Sequence, residues 1–92
     1  MRIWKWPLTV TDRQTLPLPD GAEVLAVQVH GDTPHLLALV DEKAALARRV
    51  FATYGTGHRV PDCPGIYLGT YQIHGWALVF HVFEEEVERK RA

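Results

Sequence analysis

The chain lacks residue types that several kinds of active site require. It contains no serine and no asparagine, and Cys63 is its single cysteine. A serine nucleophile with a Ser-His-Asp triad is therefore excluded, and so is a Cys-His-Asn arrangement. A lone cysteine also excludes an intrachain disulfide and a zinc site built from several cysteines. Without asparagine there can be no N-glycosylation sequon.

The chain also lacks a charge imbalance and a long apolar run. Its formal net charge is -1, with 23% charged residues, so bulk attraction to nucleic acid or to an anionic membrane is not indicated. No apolar run approaches the ~20 residues that a membrane-spanning helix needs. The first ten residues have neither the apolar centre nor the cleavage site of a signal peptide. We therefore expect a cytoplasmic protein that contacts neither membrane nor nucleic acid.

What the chain does have is a series of short segments rich in β-branched and aromatic residues, separated by turn signals such as Pro19-Asp20-Gly21. This pattern predicts an all-β fold of about seven short strands, either an antiparallel β-sandwich or a partly open barrel. The short connections favour a meander. We expect one domain over residues 1–84 and a charged tail over residues 85–92. The expected strands are Arg2–Leu8, Gln14–Leu18, Glu23–His30, His35–Val40, Arg48–Tyr54 and the two arms of Ile66–Phe83.

The segment Ile66–Phe83 carries the strongest local signal, which is that of a hairpin. His74-Gly75 is expected to form its two-residue turn, because glycine tolerates the positive φ that such turns need. The second arm, which begins at Trp76, is apolar on both faces and predicts a central strand covered on both sides. A buried helix is the competing interpretation.

Three further segments carry expectations that a structure can test. In Glu23–His30, Leu25, Val27 and Val29 are expected to form the apolar face. Residues 41–47 contain good helix formers, and we expect a loop that holds at most one helical turn. The tail over residues 85–92 is expected to be either frayed or a short helix.

The loop from Tyr54 to Gly65 is the segment most typical of a binding site, because loops carried by rigid sheets are where binding residues concentrate. The candidate binding residues are Tyr54, Gly55, Thr56, Gly57, His58 and Arg59. Gly55-Thr56-Gly57 resembles a phosphate cradle only in composition, since a cradle leads into a helix N-terminus. The alternative is that the glycines only permit a local backbone geometry.

Other reactive or aromatic residues are weighed against plain structural roles. The five histidines have no metal-binding spacing, and they could converge only if the third and seventh strands paired, so we expect no metal site and no cofactor. Cys63 with His58 could form a nucleophile pair, but a loop cysteine is the simpler interpretation. Aromatic residues could form a binding face, although core or edge packing explains most of them. These are Trp4, Trp6, Tyr67, Tyr71 and Trp76.

Several segments are similar to those of a known group of proteins. They are Arg2-Ile3-Trp4-Lys5-Trp6, Thr11-Asp12-Arg13-Gln14, Pro19-Asp20-Gly21-Ala22, Val27-Gln28-Val29, Ala38-Leu39-Val40-Asp41, Tyr54-Gly55-Thr56-Gly57-His58 and Phe80-His81-Val82-Phe83-Glu84. Together they resemble a family of short uncharacterised proteins encoded by bacteriophages and prophages, and the YGTGH loop and HVFE ending are the most specific parts. The resemblance implies a phage accessory protein in the bacterial cytoplasm. It carries over no catalytic residue.

Three functions follow as hypotheses. The first is a non-enzymatic protein that binds a host macromolecule, for example a component of a defence system. The second is a structural or assembly protein, in which an edge strand such as Ile3–Trp6 pairs with a second copy. The third is a small-molecule or metal-dependent enzyme that uses the Tyr54–Gly65 loop. We expect the first, and hence no enzyme, with a protein or a second copy as the partner.

Overall fold

The computed structural model describes residues 1–75 and 77–86. Within that part the chain forms seven strands and no helix, which confirms the all-β prediction. Accordingly, none of these residues belongs to a helix that could span a membrane. The strands are β1 (Arg2–Pro7), β2 (Arg13–Pro19), β3 (Glu23–His30), β4 (Thr33–Val40), β5 (Leu46–Gly55), β6 (Ile66–Ile73) and β7 (Leu78–Glu84).

The strands form two antiparallel sheets, in the orders β1-β4-β3 and β2-β5-β7-β6. The sheets pack on a shared core and do not close into a barrel, so of the two predicted architectures the sandwich is confirmed. The expected meander is wrong. Only β3–β4 and β6–β7 are neighbours both along the chain and in a sheet. The turn signals specify local bends, but they do not specify which sheet the next strand joins.

Two connections near the start of the chain carry it from one sheet to the other. Between β1 and β2, the Gln14 side chain accepts a hydrogen bond from Thr9 N at 3.0 Å and donates one to Thr9 O at 2.8 Å. These two hydrogen bonds satisfy the backbone N–H and C=O of Thr9, which lies outside the strands. Between β2 and β3, Ala22 N donates to Pro19 O, and Gly21 has φ 78°. The predicted Pro-Asp-Gly turn is confirmed, but it forms a corner between sheets instead of a hairpin.

The core lies between the two sheets and is formed by alternate residues of the strands. Leu18, Leu36, Val40, Phe51 and Val82 are completely or almost completely buried. Burial of one such side chain stabilises a fold by roughly 1.5–3 kcal/mol. The core therefore uses one face of each sheet, which leaves the outer face of each sheet to be explained.

A β-bulge in β3 overturns the expected position of Leu25. Val24 pairs with Ala38 and Ala26 pairs with Leu37, so Leu25 has no cross-strand partner. Because the extra residue reverses the alternation, Val24 packs on the core and Leu25 is 46% exposed. The prediction for Val27, two residues after the bulge, is confirmed, since it packs against the core.

The hairpin predicted over Ile66–Phe83 is confirmed as β6–β7, with differences at its turn. His74 and Gly75 have φ of 55° and 62°, but Ile73 pairs with Leu78, so the connection is four residues long. Trp76 lies outside the described residues. The central position of β7 is confirmed. On the outer side, Val79, His81 and Phe83 are partly exposed, so the predicted second cover is not found among the described residues. Within the described part of the chain only its core-facing side is covered by the other sheet.

Other strand bounds differ from the predictions by one or two residues. β4 begins at Thr33, and β5 begins at Leu46, two residues earlier than expected. The loop interpretation before β5 is confirmed, because Asp41 holds a turn by accepting bonds from Lys43 N and Ala44 N, each at 3.0 Å. Of the tail expected over residues 85–92, residues 87–92 lie outside the part that the structure describes.

Candidate functional site

Three aromatic rings form a row on the outer face of the four-stranded sheet. Tyr54 lies on β5, Phe83 on β7 and Tyr67 on β6. Phe83 is in the middle, with ring centroids 5.8 Å from Tyr54 and 5.5 Å from Tyr67, both in edge-to-face geometry. Such pairs contribute about 0.5–1.5 kcal/mol beyond the burial of their area. The row is thus a fixed surface, and Tyr67 is 55% exposed on it.

His81 lies beside this row, and both of its ring nitrogens contact threonine hydroxyls. Thr56 Oγ1 is 2.8 Å from Nε2, and Thr70 Oγ1 is 2.9 Å from Nδ1. A neutral imidazole donates from one nitrogen and accepts at the other, and threonine hydroxyls can fill either role. The Tyr67 hydroxyl continues the chain, 2.5 Å from Thr70 Oγ1. These contacts fix the plane of the His81 ring and the position of the Tyr67 hydroxyl.

A second β-bulge explains why Tyr67 and Thr70 lie on the same face. Residues three apart in a regular strand point to opposite faces. Here Tyr67 pairs with Phe83 and Gly69 pairs with Val82, so Leu68 is the extra residue and Thr70 returns to the outer face. Gly69, next to the extra residue, packs closely on the opposite sheet, where an added Cβ would lie 3.2 Å from Val27 Cβ.

The predicted binding loop divides between two places. Tyr54 and Thr56 contribute to the outer face just described. His58 N donates to Gly55 O at 3.0 Å, and Gly57 has φ 90°, as the third position of a type II turn requires. The glycine at position 57 therefore has a backbone role, as the alternative interpretation proposed.

Gly55 and His58 line a different feature, a cleft of about 90 Å³ at the end of the sandwich, with Asp12 on its other wall. The His58 ring covers Gly55, where an added Cβ would approach it to 3.0 Å. Arg59 is exposed. The structure therefore does not bring the six predicted residues together as one site.

Ion pairs occupy the opposite end of β5. Arg49 binds both carboxylate oxygens of Glu84, at 2.5 and 2.7 Å, and donates to Ala22 O at 2.6 Å. The hydrogen bond to Glu84 raises the pKa of Arg49, while burial opposes the rise. Arg13 likewise binds both carboxylate oxygens of Glu85 in a bidentate contact, and this hydrogen bonding raises the pKa of Arg13. A groove of about 540 Å³ lies here, and the paired Arg49 and Glu84 form part of its lining.

With the geometry established, a comparison of the sequence with known families places the chain. A family described as a domain of unknown function, DUF7352, matches residues 1–92. The chain belongs to the DUF7352 family. Searches among curated proteins and among solved structures found no significant match. Membership of DUF7352 assigns no activity.

In this DUF7352 domain the histidines lie in separate places. The rings of His30 and His35 are 5.2 Å apart on the three-stranded sheet, whereas His81 lies on the other sheet, because β3 pairs with β4 and not with β7. Among the described residues no three metal-ligating side chains come together. Cys63 is an exposed free cysteine.

Sequence reasoning found part of the outer face and missed the rest. Tyr54 and Thr56 were predicted, whereas Thr70, His81 and Phe83 were not. For Tyr67, one of five candidate aromatic residues, the sequence leaves both a binding face and plain packing open. The missing signal was strand pairing, since these residues become neighbours only when β6, β7 and β5 lie side by side.

Proposed function

We propose that this domain is a non-enzymatic binding protein that contacts a protein partner through the aromatic face. The aromatic face is defined as Tyr54, Tyr67 and Phe83 together with His81 and the two threonines that contact it, Thr56 and Thr70. The observation that carries the proposal is that a partly exposed aromatic row, with Tyr67 its most exposed ring, is fixed by edge-to-face contacts and hydrogen bonds on a sheet surface.

Both the residue types and their rigidity suit protein recognition. Tyrosine is enriched among the residues that contribute most to protein–protein affinity. A side chain that is already held in place loses little conformational freedom when a partner binds, which would otherwise cost about 0.5–1.5 kcal/mol per ordered side chain. Tyr67 meets both conditions, since it is 55% exposed and its hydroxyl is held by Thr70.

The contacts of His81 favour binding over catalysis. Both nitrogens face threonine hydroxyls, and no carboxylate of the described residues contacts the ring. A histidine that acts as a general base is usually oriented by an acidic group, as in the serine hydrolase triad. The ring is therefore best understood as a support for the surface around it.

The biological setting is part of the proposal. The resemblance of the YGTGH loop and the HVFE ending to phage and prophage proteins supports a phage accessory protein that acts in the bacterial cytoplasm. The partner would then be a host protein, for example one that belongs to a defence system. The aromatic face includes residues from both of these segments.

The test is quantitative affinity capture from bacterial lysate with wild-type protein and three variants. Tyr67→Ala removes the exposed ring, Tyr67→Phe removes only the hydroxyl, and Trp4→Ala removes an aromatic ring that is 37% exposed on the other sheet. We expect Tyr67→Ala to weaken binding to the captured partner by about 30-fold or more, the range of a hot-spot residue. We expect Trp4→Ala to have no effect.

The proposal fails if wild-type protein captures no specific partner. It also fails if Trp4→Ala weakens binding as much as Tyr67→Ala, because the contact surface would then not be the aromatic face.

A role in assembly is a second candidate, which the exposure of β1 favours. β1 is an edge strand, five of its six residues are exposed, and Ile3 is 61% exposed. An edge strand can pair with a strand of a second chain through its free backbone groups. Light scattering over a range of concentrations tests this idea, and a strict monomer would remove it.

A further inference from the structure

The outer face of the three-stranded sheet, opposite to the aromatic face, is apolar at its centre. Cross-strand pairing places Ile3 and Glu23 on either side of Leu39, and Lys5 and Ala26 on either side of Leu37. The other face of β4 carries the buried residues Leu36, Ala38 and Val40. The two rows of cross-strand neighbours, one through Leu39 and one through Leu37, therefore point away from the core. We call Ile3, Lys5, Glu23, Ala26, Leu37 and Leu39 the β4 face.

No described residue packs as a layer on the β4 face. Ile3 is 61% exposed, and Leu37 and Leu39 are partly exposed. The β3 bulge adds Leu25, which is 46% exposed beside Ala26. A continuous apolar strand such as β4 is typical of burial on both faces, so within residues 1–75 and 77–86 one of its faces lacks a cover.

We propose that the β4 face packs against the β4 face of a second copy of this chain, around a two-fold axis that runs along the strands. This inference goes beyond the proposed function, because it concerns the other sheet and a different partner. A two-fold interface places the same patch on both subunits. With the axis along the strands, β4 lies over β4, and β1 of each copy lies over β3 of the other.

The positions of the two charged residues support this axis. Lys5 is on one edge strand and Glu23 is on the other, so a face-to-face pair with this symmetry brings Lys5 of each copy beside Glu23 of the other. Lys5 lies in the row of Leu37 and Glu23 in the row of Leu39, so the two residues are offset by two positions along the strand, about 7 Å. A lysine side chain is long enough to span this offset. Opposite charges at the rim and leucines at the centre match the anatomy of protein interfaces.

The size of the β4 face bears on how tightly the two copies are expected to bind. Three strands at a spacing of about 4.8 Å, each contributing about five residues of 3.3 Å, give a face of roughly 14 by 17 Å. That lies below the size of a standard interface, which buries about 800 Å² per partner. The dimer is therefore weak, with dissociation in the micromolar range or above, and it depends on protein concentration.

The experiment is sedimentation of the full chain at low salt, from micromolar to millimolar concentration. The variants are Lys5→Glu, Glu23→Lys and the double swap. Two matched controls carry equal charge changes in the loop before β6, Arg59→Glu and Asp62→Lys. Circular dichroism verifies the fold of each variant.

We expect each single swap to weaken the dimer about tenfold, because a rim attraction becomes a repulsion at two symmetric places. The double swap should restore affinity to within about threefold of the wild type, and the controls should bind as the wild type does. A wild-type chain that stays monomeric at every concentration overturns the proposal. So does a Glu23→Lys variant that dimerises normally while Lys5→Glu does not, because that result assigns the contact to pairing between β1 edges.

Discussion

Replacement of Gly65 by alanine should destabilise the domain more than any ordinary loop substitution. Gly65 has φ 103°, where an alanine is strained, and it ends the turn that leads into β6. A Cβ at this position would lie 2.1 Å from Glu84 O and 2.9 Å from Glu84 C, both backbone atoms of β7. Because a backbone carbonyl cannot rotate away as a side chain can, β6 and β7 would have to separate there.

The magnitude follows from two terms. Positive φ costs a residue with a Cβ about 1–2 kcal/mol, and inserting an atom into a filled space costs about 1–3 kcal/mol more. Gly75→Ala is the matched control, because Gly75 has φ 62° and, among the described residues, no atom within 4 Å of an added Cβ. It should show the first term only. Because φ 103° lies outside the left-handed region that Gly75 occupies, the difference between the two variants contains the steric term plus extra backbone strain at Gly65, and we expect it to be at least about 1 kcal/mol.

Urea unfolding followed by tryptophan fluorescence gives the free energy of unfolding of each variant. A domain of this size has a total stability of about 5–14 kcal/mol, so both losses are within the measurable range. Equal losses for Gly65→Ala and Gly75→Ala would refute the close packing of Gly65 on the β7 backbone. A variant too unstable to fold at 25 °C would agree with it.

Three further predictions concern the core and the ion pairs. Burial raises the pKa of Tyr71, and its hydroxyl has no hydrogen-bond partner among the described residues. Tyr71→Phe should therefore raise stability by up to about 1 kcal/mol. The raised pKa of Tyr71 contributes stability to the wild type that is complete below the ordinary tyrosine pKa and is lost as the pH rises through the higher folded-state pKa. Tyr71→Phe should remove this contribution, as measured by urea unfolding at alkaline pH. Arg49→Ala should cost about 1–2 kcal/mol, because it leaves Glu84 half-buried without its partner, whereas Arg49→Lys should cost less since it keeps the charge; an equal loss in both would mean that the charge contributes little. Val24→Ala should cost about 1–2 kcal/mol and Leu25→Ala less than about 0.5 kcal/mol by the same measurement, and the reverse order would contradict the β3 bulge.

Local pattern was sufficient to predict the strands. The alternation in Glu23–His30 and the turn signal at Pro19–Gly21 depend on neighbouring residues, and both were interpreted correctly as a strand and a turn. The sheet order depends on which distant strands pair, and no local pattern specifies that β1 lies beside β4 and not beside β2.

The two β-bulges limit how well the alternation of residues predicts which side chains face the core. At Leu25 and Leu68 one extra residue reverses the alternation; no residue type at Leu25 indicates it, whereas Gly69 next to Leu68 is a residue that often marks a bulge in a strand. At Leu25 the bulge turns an expected core leucine toward solvent. At Leu68 it brings Tyr67 and Thr70 to one side, which is how the aromatic face acquires its hydroxyl network. The loop candidate over residues 54–59 was predictable because glycine-rich loops are visible in a sequence, whereas its neighbours on β6 and β7 were not.

The position of β7 has a consequence for how the chain folds. β7 is the last strand of the described residues but lies in the interior of its sheet, where it is the only described link between β5 and β6. Until it is in place, the strands on its two sides have no mutual hydrogen bonds. β6 and β7 form a local hairpin, but the pairing of β5 with β2 and with β7 closes longer loops, and such closure slows folding toward the millisecond-to-second range. Before the β6–β7 hairpin docks on β5, β5 and β7 each have an unpaired edge, so this is the interval when the chain is most exposed to aggregation.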